Sequence, residues 1–378
     1  MIKLFEDIVR NSYEPQGHNE DSYAYYNQSA RYEIIESRLQ IEEWFKAYPD
    51  TEKNDLRNTF KNDFNAGFFE LFLFTLFYKM GYNINIHPTV QDSNKTPDFL
   101  VSGFGQEFYL EAKVSYYESE VERATAKRLG TLYEVLDKAQ ILDFFIYLRT
   151  IKEKRKMQPR ANDIRRVIEE AISRYNVEEL YDAMNSGIIT SPPLHVYEDD
   201  DLYLEFGPIP KSIEGRGKAA QRAIGIYAEE AKVLENASSL RKALKMKAGR
   251  YSALNKPYLI AINAIDMIAL DNDDIWDCLM GTTCVVPPSI ENGAELQEFR
   301  QHNGFFTGRN DQGQNTRVSA AFITKINPNN WRAAEYWIIE HQKARHPISL
   351  RTSPLITRFV KDNIIYRTKG MSFGEIIQ

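Results

Sequence analysis

Three residues in the first third of the chain, Asp98, Glu111 and Lys113, have the side chains needed for hydrolytic chemistry at a metal ion. Asp98 follows a proline, and a single alanine separates Glu111 from Lys113 in the next apolar segment. Carboxylate oxygens are the ligands that hard divalent cations such as Mg²⁺ and Mn²⁺ prefer. Two carboxylates beside one ammonium group would therefore form a divalent-metal site with a cation next to it, which suits hydrolysis of a phosphodiester.

A β-hairpin is the element that would bring these side chains together. Apolar, strand-forming residues lie on both sides of a turn at 104–105, a pattern typical of two antiparallel strands. Folding the chain about this turn sets Asp98 opposite Glu111. Because side chains alternate along a strand, Glu111 and Lys113 share one face, and Ala112 points to the other.

A strongly apolar helix is predicted just before the hairpin, over residues 68–82. Gly81 near its end is typical of a helix C-terminus, and the segment is too short to span a membrane. Glu70 is an anomaly there, because burying a carboxylate is costly unless it is paired or binds a metal. It either points toward Asp98 and Glu111 as a third acidic group or lies in the first helical turn and faces solvent.

A helix with a glutamate, a strand with Pro-Asp and a strand with Glu-x-Lys resemble the PD-(D/E)XK nuclease superfamily, the restriction-endonuclease-like proteins. The resemblance covers residues 60–115 and rests on Glu70, Asp98, Glu111 and Lys113. It implies an α/β protein with a restriction-endonuclease-like mixed central sheet flanked by helices. An N-terminal helical part and an inserted subdomain would be added to that core.

The resemblance also implies a role for each matching residue. Asp98 and Glu111 would bind Mg²⁺ or Mn²⁺, and the backbone carbonyl of Ala112 would be a further metal ligand. Glu70 would complete the coordination shell directly or through water. Lys113 would orient the attacking water or stabilise the phosphorus centre; the alternative is a surface strand lysine whose stem covers apolar atoms.

A looser match lies farther along the chain. A helical run at 240–251 is followed by an apolar strand at 257–263, which is similar to the helix and fourth strand that follow the catalytic hairpin in this family. Some members carry Gln-x-x-x-Tyr on that helix, and Lys247 and Tyr251 have the same spacing here. Lysine in place of glutamine departs from the pattern but suits a phosphate contact. The long segment at 118–217 is a further departure.

The net charge of −6 at pH 7 argues mildly against a nucleic-acid-binding protein, so the distribution of charge matters more. Acidic residues are in excess before residue 60, whereas 149–174 and 211–250 carry an excess of lysine and arginine. These basic stretches either line a phosphate-binding surface or form solvated helix faces. The candidates for nucleic-acid contact are Lys242, Lys245, Lys247, Arg250 and Tyr251.

The succession of apolar and polar segments predicts an elaborated core. Strands are expected at 144–148 and 202–206, with a hairpin about the acidic turn at 199–201, and a long helix is expected over 218–250. The predicted organisation is an N-terminal helical region at 1–58, a nuclease core at 59–117 and 218–345, an inserted subdomain at 118–217 and a C-terminal extension at 346–378.

Composition is ordinary for a globular protein, with 43% hydrophobic and 26% charged residues. The two cysteines, Cys278 and Cys284, do not form a Cys-x-x-Cys pair, and the acidic start does not resemble a signal peptide. A cytoplasmic protein with free thiols is therefore expected, without a zinc site or a membrane helix.

The expected function is metal-dependent cleavage of DNA in restriction, phage defence or a related mobile-element system. The partners would be DNA and either a second copy of the chain or a defence-system protein. One alternative is a catalytically silent subunit of the same fold that binds nucleic acid or another protein. A second is a structural protein whose acid–lysine cluster is only a buried salt-bridge network, and RNA remains open as a substrate.

Overall fold

The chain folds as an α/β protein with two compact units, as described by a computed structural model. The first unit is formed by Met1–Asn11, Tyr26–Tyr117 and Leu234–Gln378, and the second by Ser12–Tyr25 and Glu118–Val233. The residues described are 2–90, 95–116, 120–218, 222–226, 236–251, 254–265, 267, 270–286, 297–307, 313–361 and 364–378.

Helices and strands occur in both units. The helices of the described residues are α1 (Ser22–Gln28), α2 (Tyr32–Ala47), α3 (Lys53–Asn62), α4 (Phe64–Lys79), α5 (Glu120–Leu136), α6 (Ala161–Ile172), α7 (Val177–Asn185), α8 (Asn236–Ala248), α9 (Asn272–Met280) and α10 (Phe373–Ile377). The strands are β1 (Asn83–Ile86), β2 (Phe99–Gly103), β3 (Gln106–Ser115), β4 (Phe144–Glu153), β5 (His195–Glu198), β6 (Leu202–Pro210), β7 (Ile224–Ile226), β8 (Tyr258–Ala264), β9 (Thr283–Val286), β10 (Gln297–Arg300), β11 (Ala320–Thr324), β12 (Tyr336–Glu340), β13 (Thr357–Lys361) and β14 (Ile364–Arg367).

The first unit is built around a mixed sheet of eight strands in the order β1-β2-β3-β8-β11-β12-β13-β14. Strand β8 is parallel to both β3 and β11, and β12 is parallel to β13. The other neighbours in this sheet are antiparallel. Because parallel neighbours require a crossover, the chain leaves β3, contributes Glu118–Val233 to the second unit, forms α8 and returns as β8.

Helix α4 packs against this sheet and is buried on nearly all sides, because its residues are mainly Phe and Leu. The Asp63 side chain caps its first turn by accepting a hydrogen bond from the backbone N–H of Ala66. Gly81 follows the helix in the left-handed conformation, with φ of 86°. The ring of Phe77 packs edge-on against Phe108 of β3, which fixes the helix on one face of the sheet.

Helix α8 packs on β3 and β8. Leu240 and Leu244 of the helix share a core with Tyr109 of β3 and Ile260 of β8. Since alternate residues of a strand face the same way, the face of β3 that carries Tyr109 also carries Glu111. The Glu111 carboxylate is therefore directed toward α8.

The second unit has its own four-stranded sheet, in the order β5-β6-β4-β7, and its own apolar core. Strands β5 and β6 form the predicted hairpin, with His195 opposite Phe206. The Asp199 carboxylate closes the turn by accepting hydrogen bonds from the backbone N–H groups of Asp201 and Leu202. The acidic triplet is thus a hydrogen-bonded turn.

The helix predicted over 218–250 is wrong at residues 222–226, because 224–226 form β7, which pairs with β4. Helix α8 covers Asn236–Ala248, and the rest of the prediction at 219–221 and 227–235 lies outside the described residues. Gly225 comes so close to Phe145 that an added Cβ would lie 2.7 Å from the Cβ of that residue. Glycine in this segment therefore permits close strand packing that a helical pattern does not reveal.

The predicted insertion at 118–217 lies within the second unit, which also includes Ser12–Tyr25 from the predicted N-terminal region. The predicted extension at 346–378 contributes β13, β14 and α10 to the first unit. Both cysteines are free thiols. No helix among the described residues is long and apolar enough to cross a membrane.

Candidate active site

The hairpin of β2 and β3 has the predicted register. Phe99 is paired with Leu110, and Gly103 is paired with Gln106, so Asp98 comes one step before the Phe99 pair and lies opposite Glu111. Both residues of the connecting turn, 104 and 105, have positive φ angles, of 52° and 74°. Two such residues match the twist of a tight hairpin, which explains why the turn position fixes the register.

Asp98 is held against the neighbouring strand. Its Oδ2 accepts a hydrogen bond of 2.6 Å from the backbone N–H of Ala112. Burial, followed by repulsion from Glu111, raises the pKa of Asp98 to about 7, although the positive charge of Lys247 acts in the opposite direction. Two carboxyl groups therefore lie close enough that ionising both is unfavourable without added positive charge.

Glu111 is completely buried and bound by three side chains. Its Oε1 lies 2.6 Å from Lys247 Nζ and 2.8 Å from Arg250 Nη1. Its Oε2 accepts a hydrogen bond of 2.5 Å from the Tyr251 hydroxyl. A buried carboxylate without such partners would strongly destabilise the fold. These three residues offset the cost of burying Glu111.

The end of α8 positions these three partners. Lys247 lies in the last turn of α8, and the hydrogen bond from the Arg250 N–H to the Lys247 carbonyl continues the turn beyond Ala248, so Arg250 and Tyr251 follow directly after the helix. Lysine and arginine are also favoured at this end by the helix dipole. The sequence Lys247-x-x-Arg250-Tyr251 thus presents two cations and a phenol to one carboxylate.

Tyr251 links this cluster to the chain entering β2. Its hydroxyl lies 2.9 Å from the carbonyl oxygen of Thr96 as well as close to Glu111. Burial and the hydrogen bond to Glu111 raise the pKa of Tyr251 above its ordinary value. The phenol is therefore protonated at neutral pH and acts as a hydrogen-bond donor.

Glu70 is partly buried in the second turn of α4, because the helix begins at Phe64 rather than at residue 68. The alternative that placed it in the first turn facing solvent is therefore wrong. Its Oε1 accepts a hydrogen bond of 2.9 Å from Tyr48. Burial raises the pKa of Glu70, opposed by that hydrogen bond, and the charge of Glu70 in turn helps to raise the pKa of Asp98.

The possible metal ligands in this region are few. Within the described ranges, no three His, Cys, Asp or Glu residues are arranged to hold a metal ion. Mg²⁺ is often bound by only one or two carboxylates, with water as its other ligands. The mutually repelling pair of Asp98 and Glu111 fits that smaller requirement, and direct ligation by Glu70 stays a prediction.

Lys113 and Ala112 lie where the hairpin predicts. Lys113 is two residues after Glu111 on the same face of β3, is partly buried and is paired with Ile262 of β8. Ala112 is paired with Ala261, and its N–H is the group that binds Asp98. The strand thus offers a carboxylate and an ammonium group side by side.

The remaining candidates are less closely connected to the carboxylates. Lys242 and Lys245 are exposed residues of α8, and no described contact joins them to Glu111. The basic stretch at 149–174 belongs to the second unit, where most of its cations pair with acids, as Arg174 does with Glu170. That stretch is mainly an ion-paired surface.

Sequence reasoning missed how Glu111 and Glu70 are bound by other side chains. Lys247, Arg250 and Tyr251 all bind Glu111, and their contact with nucleic acid stays a prediction. Their helical spacing was the available signal. The hydrogen bond to Glu70 of α4 comes from Tyr48, the residue after α2, and no short-range sequence pattern predicts it.

The chain matches no protein-family model, and it has no significant match among curated proteins or solved structures.

Proposed function

We propose that this chain is a metal-dependent deoxyribonuclease with a restriction-endonuclease-like, PD-(D/E)XK core. The observation that carries the proposal is the placement of Asp98 opposite Glu111, with Lys113 beside Glu111 on the same strand face. The proposal is supported by the elements that follow the hairpin, since α8 precedes β8, which is parallel to β3, as expected for the helix and fourth strand of that family.

In this proposal, Asp98 and Glu111 hold Mg²⁺ or Mn²⁺, with the Ala112 carbonyl as a further ligand. When bound, the ion lowers the pKa of a water ligand and neutralises charge on the phosphate. Lys113 Nζ orients the attacking water or donates to a phosphoryl oxygen. Glu70, oriented by Tyr48, holds a further water. Two copies of the chain would be needed to cut both strands in one event.

The competing function is that of a silent binding subunit or a structural protein. A specific observation favours it: both oxygens of Glu111 already have partners in Lys247, Arg250 and Tyr251. Buried ion networks of this kind can be purely structural. The two functions differ in whether a divalent ion stabilises the folded protein.

The test is incubation of the protein with supercoiled DNA, linear DNA and RNA in Mg²⁺, Mn²⁺ or EDTA. Lys113→Ala should abolish metal-dependent DNA cleavage. Lys152→Ala, which removes an exposed strand lysine of the second unit, should leave cleavage unchanged. Equal loss in both variants, or cleavage that persists in EDTA, would contradict the assigned site.

RNA cleavage with the same metal and Lys113 dependence would keep the chemistry and change the substrate. A folded protein that neither cleaves nucleic acid nor gains thermal stability from Mn²⁺ would contradict the metal site itself. Stabilisation by Mn²⁺ without cleavage would support the silent subunit.

A further inference from the structure

One oxygen of Glu111, Oε1, contacts two positively charged side chains of the protein. A carboxylate oxygen has about two lone-pair positions, and Oε1 of Glu111 is in contact with both Lys247 Nζ and Arg250 Nη1. A dication bound by this carboxylate would lie near both positive groups. Like charges repel strongly where water is excluded, so a metal ion and these two side chains would compete for the carboxylate.

From this geometry, and resting on the proposed nuclease function, we propose that Lys247 and Arg250 form a metal-sensitive latch. They hold Glu111 when the metal is absent, and they are transferred to a phosphate of the nucleic acid when the metal binds. The latch would make metal binding and nucleic-acid binding mutually dependent, since each favours the same rearrangement.

The two side chains differ in how they can move. The Lys247 side chain is 13% exposed, and its ammonium group sits on a flexible four-carbon stem. It can therefore leave Glu111 without moving the backbone of α8. The backbone carbonyl of Lys247 is meanwhile held by the Tyr258 hydroxyl at 3.2 Å, which keeps the helix end in place.

Arg250 has an unused donor in the same cluster. Its Nε is buried and has no hydrogen-bond partner among the described residues, although the side chain as a whole is 36% exposed. A buried donor without an acceptor is unfavourable, and a guanidinium group is well suited to binding a phosphate through two nitrogens. A bound phosphodiester would supply hydrogen-bond acceptors for the Arg250 guanidinium group, including its Nε, which has no acceptor within the described part of the protein.

Tyr251 would keep Glu111 in place during this exchange. Its hydroxyl contacts Oε2, the oxygen that the cations do not use, and it carries no charge that would repel a metal. The cluster therefore contains two partners that compete with a dication and one that does not.

The first experiment measures Mn²⁺ affinity by titration calorimetry and the Mn²⁺-induced shift in Tm. Lys247→Met, which keeps the length of the side chain and removes its charge, should bind Mn²⁺ about tenfold more tightly, as expected from removing one nearby like charge. Its Tm in EDTA should be lower and its Mn²⁺-induced shift larger. Lys152→Met, which changes an exposed lysine of the second unit in the same way, should behave as the wild type.

Lys247→Met that is folded but binds Mn²⁺ no more tightly than the wild type would overturn the latch and leave the proposed nuclease intact. A wild-type protein that binds no Mn²⁺ would overturn both. If Lys247→Met fails to fold in EDTA, Lys247→Gln keeps a donor for Glu111 without charge and should show the same gain in affinity.

The transfer to phosphate is tested with fluorescent duplex DNA in the Lys113→Ala background. Adding Mn²⁺ should tighten DNA binding in Lys113→Ala, and it should do so less in the double variant with Lys247→Met. Equal tightening in both would overturn the transfer step.

Discussion

Two ion pairs in different units have nearly the same geometry and a very different environment. Lys247 and Glu111 are 2.6 Å apart, with side chains 13% and 0% exposed. Arg174 and Glu170 are 2.7 Å apart, with side chains 69% and 67% exposed. The first pair joins positions 136 residues apart, whereas the second spans one helical turn.

The comparison shows that burial, rather than the number of charged residues, determines which ion pairs matter for stability and for a site. An exposed ion pair contributes little to stability, because water can replace either partner. A buried carboxylate destabilises the fold unless an opposite charge lies nearby. Losing one of its partners therefore lowers the free energy of unfolding strongly. The basic stretch of the second unit and the end of α8 look alike in composition, but only the latter meets a buried acid.

Glu111→Gln should have the largest effect. It removes the charge that holds Lys247 and Arg250, so we expect the free energy of unfolding to fall by about 3 kcal/mol, and metal-dependent cleavage should be lost. Urea denaturation and a plasmid cleavage assay measure the two effects. Stability within error of the wild type would show that the buried network contributes nothing.

The pH dependence of stability should come next. The pKa of Asp98 is raised to about 7 in the folded protein, against about 3.9 in the unfolded chain. Between these values the folded state binds a proton that the unfolded state lacks, so this group makes stability fall as pH rises.

In EDTA we expect a loss on the order of 2 kcal/mol from Asp98 between about pH 5 and about pH 8. Asp98→Asn should remove this part of the pH dependence, as measured by urea denaturation across the range. A wild-type and a variant curve with the same slope would show that Asp98 titrates normally.

Tyr251→Phe should have a smaller effect. The variant keeps the ring in the core and removes only the hydroxyl that bonds to Glu111, so the free energy of unfolding should decrease by about 1 kcal/mol. Thermal or urea unfolding gives the value. Tyr366→Phe, at an exposed position of β14, is the control and should be neutral.

Glu170→Gln should have the smallest effect and sharpens the contrast with Glu111→Gln directly. The chemical change is the same, but the partner Arg174 is exposed, so stability should change by less than about 0.5 kcal/mol. A loss as large as that of Glu111→Gln would contradict the role given to burial.

Local patterns were sufficient to predict the hairpin. A turn at 104–105 and alternating apolar residues fix the register, so the position of Asp98 opposite Glu111 followed from spacing alone. The strands at 144–148 and 202–206 were likewise found, as parts of β4 and β6. These elements depend on neighbours in the sequence.

The errors arose where distant segments meet. The helix predicted over 218–250 ignored β7, which exists because Gly225 can approach Phe145 closely. The contact between Lys247 and Glu111 was missed, because nothing near Lys247 in the sequence shows that β8 pairs with β3 and that α8 packs on both strands. Contacts between such distant residues can be predicted only when the order of strands in the sheet is known.

The crossover between β3 and β8 has a consequence for synthesis of the chain. The hairpin with Asp98 and Glu111 leaves the ribosome long before α8, since Glu111 and Lys247 are 136 positions apart. The entropic cost of closing a loop rises slowly with its length, by about 0.6 kcal/mol for each doubling. Pairing between segments far apart in the sequence nevertheless slows folding. We therefore expect the contacts between Glu111 and Lys247 to form only after both β3 and α8 have been synthesised, later than the hairpin itself.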